Sequence, residues 1–294
     1  MKLSQSLRSL LSHLASDPIT RLPRLRADQL RLKLAQHVGS QHVDTPATTS
    51  QTELLPRRMV DSWNRVSLPL GSDHKLRSTY ISSRGYLRFG LILEDLDTFA
   101  VWLAYCHNQG SSDLGSALHH PMGLVTACVD RIDLPATSED EATQKLIRGD
   151  SDIVFEGHVS WVGRSSLEAS IRFLQQNGPV SNSWRHVLSA KMVMVALSPK
   201  NHQPVAVHPL AVETEDECRI FNEGKENSNH RRLQSAQSLL KTPPSQEEQN
   251  VIHSMFTQTL DPKRKSFKHR VLPENCVWME ECSLKNVHIM FPQV

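Results

Sequence analysis

The sequence has no long hydrophobic run, no closely paired cysteines and no marked excess of one charge. Its longest uncharged apolar run, residues 98–106, covers nine positions. A membrane-spanning helix needs roughly 20, so a multi-span membrane protein is excluded and no span is expected. Five cysteines (Cys106, Cys128, Cys218, Cys276 and Cys282) form no Cys-x-x-Cys pair, and no Asn-x-Ser/Thr acceptor occurs. That count argues against a disulfide framework or a zinc ribbon and for reduced thiols inside the cell. Lys and Arg number 33 against 31 Asp and Glu, a net +2, too little for a nucleic-acid binder. The run Lys263-Arg-Lys265 is a solvated loop on this reading.

Motifs are missing too. Gly110-Ser-Ser-Asp-Leu-Gly115 has the wrong frame for a nucleophile elbow, and no P-loop, dinucleotide fingerprint or zincin motif occurs. His119 and His120, beside Pro121, lack a partner at ligand spacing. No metal and no cofactor are therefore expected.

What remains is 294 residues, 38% hydrophobic and 22% charged, the profile of a soluble globular chain with room for about two domains. Residues 1–43 hold seven bases and two acids. Leu3, Leu7, Leu10, Leu11 and Leu14 recur there at helical spacing, as in an amphipathic mitochondrial presequence. Residues 39–53 read as a linker.

The most apolar helix candidate spans 86–107. Ile92, Leu96, Phe99 and Leu103 make one stripe; Leu93, Ala100 and Ala104 make a second beside it. A helix apolar on most of its circumference is buried on most of it. Two alternating runs follow, Ile153 to Trp161 and Leu167 to Phe173, around a turn at Gly163 and Arg164, which is a hairpin signature. A third strand is expected over 187–196, with Leu188, Ala190, Met192 and Met194 on one face. A fourth is expected over 122–132, with Val125, Ala127 and Val129 inward. The fold class is therefore α+β, an antiparallel sheet wrapped round a long helix. Beyond it, 213–229 reads as a charged helix, and Ser245 with Glu248 forms a capping box opening another to about Thr259.

The helix start carries the chemistry. Glu94, Asp95 and Asp97 occupy the first turns after Gly90. Asp97 has Leu93, Ala100 and Val101 around it, and a carboxylate in such a setting has a raised pKa and needs a hydrogen-bond partner. Asp95, beside Leu91, Ile92 and Phe99, is nearly as apolar, so pattern does not rank the two. Gly90 lets a ligand approach the free amides of the helix start, where a developing oxyanion is stabilised. Those amides, with a carboxylate two turns on, form a kit for thioester hydrolysis.

Five stretches then carry a resemblance: Pro56-Arg-Arg-Met-Val-Asp-Ser62, Leu68-Pro-Leu-Gly-Ser-Asp73, Leu87-Arg-Phe-Gly-Leu-Ile-Leu-Glu-Asp-Leu-Asp97, Glu156-Gly-His-Val-Ser-Trp-Val-Gly-Arg-Ser-Ser-Leu-Glu168 and Arg270-Val-Leu-Pro-Glu-Asn-Cys-Val-Trp-Met-Glu280. In order, they closely resemble the mitochondrial acyl-coenzyme A thioesterases of the hotdog fold. The resemblance implies acyl-CoA hydrolysis to a free acid and CoA in the mitochondrial matrix, without metal, by paired hotdog units with the active site between them. Asp97 matches the family's catalytic aspartate, with Gly90 at the start of the same helix. Arg164, Ser165 and Ser166 match a Gly-[Arg/Lys]-[Ser/Thr]-Ser word that is suited to CoA phosphates; Arg84 and Arg88 are further cations near the helix start.

The organisation expected is a targeting and linker segment (1–56), a hotdog domain (57–212), a helical linker (213–268) and the first strands of an incomplete second hotdog domain (269–294). The alternative is a catalytically incomplete hotdog subunit that binds acyl-CoA or pairs with a full-length partner.

Overall fold

The computed structural model describes residues 25–39, 50–83, 85–110, 122–133, 147–178, 183–238, 240–260 and 271. The leucine stripe of the first 24 residues, Arg84, His119, His120, the basic run at 263–265 and all of 269–294 except Val271 lie outside the described residues.

In chain order the elements are α1 (Ala27–Gly39), β1 (Arg57–Arg58), β2 (Asn64–Leu68), α2 (His74–Tyr80), α3 (Phe89–Gln109), β3 (Gly123–Asp133), β4 (Ile153–Val162), β5 (Ser166–Gln176), β6 (Trp184–Leu197), β7 (Leu210–Ala211), α4 (Glu215–Ala236) and α5 (Gln246–Gln258). β2, β4, β5, β6 and β3, in that spatial order, form one antiparallel five-stranded sheet. β1 and β7 make a short parallel pair.

The sheet curls round α3, which packs on β3, β4, β5 and β6. This is the α+β hotdog architecture. Both stripes read from the sequence account for it: Ile92, Leu96, Phe99, Ala100, Leu103 and Ala104 are fully buried, and Leu93 packs against the same core. Phe99, Phe155 and Phe173 stack inside, with ring centroids 6.3 and 5.4 Å apart. Burying each such ring is worth about 1.5–3 kcal/mol. Gly157 makes the close approach possible, since a Cβ there would lie 2.6 Å from the Ser170 carbonyl and 2.9 Å from Leu103 Cδ1. The helix ends at Gly110, whose φ of 68° is the left-handed cap that only glycine adopts freely.

Three expectations are corrected. The first concerns α1, which lies in the stretch read as targeting and linker. Ala27, Leu30 and Leu34 are core residues and Arg26 bridges Ser67, so the compact unit reaches back to Leu25. The second concerns β3, where Leu124 joins the core while Val125 and Val129 are 46% and 48% exposed. Burial alternates without a break from Leu124 to Asp130, so Leu124, Thr126 and Cys128 share the more buried face, one residue out of step with the expectation. The third is Trp161, which a bulge after Val159 turns off the inner face, so that Val162 takes its core place. β2 carries no expectation: it is an edge strand too short to give a period-2 signal.

The outer face of the sheet is covered by the part of α4 up to Ser228. A Cβ on Gly224 would meet Trp161 Cβ at 2.4 Å. Beside them Glu168 is 0% exposed. Its carboxylate accepts from Ser160 Oγ at 3.2 Å and Asn227 Nδ2 at 3.4 Å and lies 3.7 Å from Lys191 Nζ, which pairs with Glu223 at 2.6 Å. The first compact unit ends at Ser228 and a second runs from Asn229. In the second, α5 opens on the Ser245/Glu248 capping box, as its sequence requires, and leaves Val251, Ile252 and Met255 exposed.

Candidate functional site

The start of α3 is set by a reversal of the chain after α2. Ser82 N–H donates to the Tyr86 carbonyl at 2.8 Å, Ile81 bridges Leu87, and Arg88 N–H donates to the Tyr80 carbonyl at 2.7 Å. The cap residue Arg88 places no side-chain bond on the helix, and no acid sits in its first turn. Neither the cap nor the first turn therefore supplies a carboxylate to compete for the amides there. Gly90 is exposed, and a Cβ on it would meet nothing within 4 Å. Packing does not demand a glycine at this position; it stands open to a ligand. Beside it opens a cavity of about 630 Å³, lined mainly by Ile81, Tyr86, Leu87, Phe89, Ile147 and Val187.

The three carboxylates face three environments. Glu94 is exposed and pairs with Arg31 of α1. Asp95 is 4% exposed and accepts the Tyr80 hydroxyl at 2.5 Å. Burial pushes its carboxyl up to about 6 against the hydrogen bond, and the same burial pushes the Tyr80 phenol up as well. Asp97 is half-buried and lines a groove of about 350 Å³ with Arg31, Leu34, Glu94, Thr98 and Val101. Pattern left Asp95 and Asp97 unranked. The structure separates them, because Asp95 is occupied by Tyr80 while Asp97 opens on space.

Sequence reasoning missed the α1 wall of this groove. The signal was present in Ala27, Leu30 and Leu34, spaced three and four apart, but basic neighbours gave the segment a targeting look. It also missed Thr126 of β3, opposite the core residue Met194, whose buried hydroxyl has no hydrogen-bond partner.

Arg164, Ser165 and Ser166 form the β4–β5 turn, as expected. Their carbonyls accept from Val207, Ala196 and Gly163. Gln51 Nε2 ties Gly163 and Val207 together at 2.8 and 3.0 Å, and His107 Nε2 meets the adjoining His208 carbonyl at 2.8 Å. The turn thus belongs to the C-terminal end of α3. His107 lies ten residues beyond Asp97, about 15 Å along a helix. Gly90, Arg88 and Asp97 cluster in the N-terminal half of α3; the three turn residues do not join them. Among the described residues no group of three or more His, Cys, Asp or Glu side chains is arranged to hold a metal ion. No described helix is long and apolar enough to cross a membrane.

No family model matches the chain. It is 44% identical over 244 residues to the human mitochondrial acyl-coenzyme A thioesterase 9, a match covering 83% of this chain and 52% of that protein. It is 41% identical to the mouse mitochondrial acyl-coenzyme A thioesterase 10 over the same shares. The chain thus spans about half the length of these relatives. Among solved structures, an acyl-CoA hydrolase from Bacillus cereus is 20% identical, with a TM-score of 0.47, covering 68% of this chain and 98% of that one.

Proposed function

This chain belongs to the mitochondrial acyl-coenzyme A thioesterase family, and from that premise we propose that it hydrolyses acyl-CoA thioesters to a free acid and CoA. The observation that carries the reading is Asp97, a half-buried carboxylate on the central helix, facing an open groove and not bound by a neighbouring hydroxyl as Asp95 is.

Asp97 acts as general base. It takes a proton from the attacking water, the thioester carbonyl becomes a tetrahedral oxyanion, and collapse expels CoA thiolate, which receives the proton. Direct attack by the carboxylate is the other route open to it. The amides at the start of α3, beside Gly90, hold the oxyanion. Seven residues separate Gly90 from Asp97, roughly 10 Å along the helix, too far for both to touch one carbonyl. The kit read from the sequence is therefore divided: Asp97 of one hotdog unit works with the helix start of another. The position of Arg164, Ser165 and Ser166 at the opposite end of α3 supports the same division, with their turn serving the CoA phosphates of a substrate held by the neighbouring unit. Self-association follows from it, and the acyl-CoA pool of the mitochondrial matrix is the substrate source.

The same division favours a second reading, in which this chain is a catalytically incomplete subunit that binds acyl-CoA or pairs with a full-length partner. Free-thiol release from a panel of acyl-CoAs, followed alongside oligomeric state, tests the two. Turnover by a self-associated chain supports the enzyme. Saturable CoA-ester binding with no thiol release supports the incomplete subunit. Neither binding nor release overturns both.

A further inference from the structure

α1 is firmly fixed at its start and lightly held past its middle, and the lightly held part walls the Asp97 groove. We propose that α1 is a hinged gate of that groove, turning about residues 25–30 and latched by Arg31 on Glu94, and that substrate enters and leaves when the latch opens. The proposal rests on the reading of Asp97 as the reacting group and adds what admits the thioester to it.

The start of α1 is tied down by backbone, charge and packing together. Ser67 N–H donates to the Leu25 carbonyl at 2.9 Å, which joins the chain to β2. The Arg26 guanidinium donates to Asp28 at 2.9 and 3.0 Å and to Asp73, the cap of α2, at 3.1 Å. Ala27 and Leu30 are fully buried. Past Leu30 the hold thins. Arg31, Leu32, Lys33, Ala35 and Gln36 are exposed, and Leu34 alone of residues 31–36 is buried. Arg31 meets Glu94 through side chains that are both more than half exposed, a pair that water screens to little net worth. A segment with one buried side chain and one exposed ion pair opens at lower cost than the core beneath it.

The two residues that hold this part are the two that α1 gives to the groove. Arg31 and Leu34, three apart on one face, line it with Glu94, Thr98 and Val101, which follow one face of α3 beside Asp97. Swinging them outward uncovers Asp97 without moving Leu30. The groove of about 350 Å³ stands near the floor of the range for small-molecule sites, about 300–1,000 Å³, and a CoA ester brings a long polar arm as well as its acyl group. The latch also suits release by the substrate itself, since a phosphate competes with Glu94 for the same guanidinium.

Arg31→Gln and Glu94→Gln each undo the latch, and trypsin reads the opening at Lys33, which both variants keep. Cleavage there, followed by mass spectrometry, should quicken by up to about fivefold, the most that an exposed pair contributes. Locking the helix is the converse. The Arg31→Cys/Glu94→Cys variant, joined by a reducible bismaleimide, should bind an S-butyl-CoA thioether about tenfold more slowly, or worse, in stopped-flow mixing. Reduction of the linker should restore the rate, and the parent treated with the same reagent should keep its own. The thioether is not hydrolysed, so the test does not depend on turnover, and melting temperatures report whether each protein is folded.

Unchanged cleavage at Lys33 in both glutamine variants would overturn the proposal, as would a locked protein that binds at the parent's rate. Equal slowing of the treated parent would overturn it too, by assigning the effect to other thiols. Thiol release separates the gate from the reading beneath it. A locked protein that turns over acyl-CoA while Asp97→Asn does not removes only the gate. Full turnover by Asp97→Asn removes the role of Asp97, and absence of thioether binding by the parent removes both.

Discussion

Asp95→Asn isolates the strain of burying a carboxylate on the central helix. Burial holds the folded carboxyl at about 6, against 3.8 when it is freely solvated. Between those values the folded chain keeps a proton that the unfolded chain has lost, so stability falls as pH rises through this window. The cost is complete above pH 6. A gap of about two units at about 1.4 kcal/mol each comes to about 3 kcal/mol. Asparagine has the same shape, carries no charge and still accepts the Tyr80 hydroxyl. The variant and the parent should therefore melt together near pH 4 and separate as pH rises. By pH 7 the variant should melt higher by roughly 6–12 °C, taking 2–4 °C per kcal/mol for a domain of this size. Differential scanning calorimetry across pH 4–8 reads the difference directly. Parallel curves, or a variant that loses ground as pH rises, would mean that the Tyr80 bond outweighs burial and that Asp95 sits in its helix as a comfortable carboxylate.

Three further outcomes follow from the packing. His107 is buried with its Nδ1 unpartnered, and burial lowers it to about 4. The stability it contributes is present above 6.5 and lost as pH falls towards 4, about 3 kcal/mol in all, so His107→Gln should flatten the acid side of the stability curve in urea titrations at stepped pH. Gly157→Ala should cost about 1–3 kcal/mol in denaturant midpoint, because its methyl meets the backbone of β5. Lys191→Met leaves Glu168 buried without its cation and should cost about 3–5 kcal/mol; adding Glu168→Gln should restore most of that loss, and an additive double variant would dissolve the proposed coupling.

The sequence announced α3, the β4–β5 hairpin and the α5 cap because each rests on a local rule. A stripe, an alternation around a glycine turn and a Ser/Glu box all survive without knowledge of the neighbours. What it hid depends on neighbours. The bulge that turns Trp161 outward exists because Gly224 of α4 leaves room for the indole, and no local pattern encodes that pair. Val125 and Val129 are exposed because β3, at the sheet edge, turns Leu124 and not the valines to the core, a choice of face that period-2 alternation alone does not make. α1 was obscured by its own charges, since Arg31 and Lys33 flank the same Leu30 and Leu34 that enter the core. At the site, Asp97 and Asp95 look alike in sequence. The rotation of α3 against Tyr80 distinguishes them, and tertiary packing sets that rotation.

The proposed hydrolysis stands or falls with Asp97. Wild-type protein and Asp97→Asn should be compared for free-thiol release from one acyl-CoA at saturation, with melting temperatures and oligomeric states matched. The variant should fold and assemble like the parent and lose thioester turnover by two orders of magnitude or more, about 10²–10⁴-fold for a lost general base. Equal rates in the two proteins would contradict it and leave only the family relationship standing.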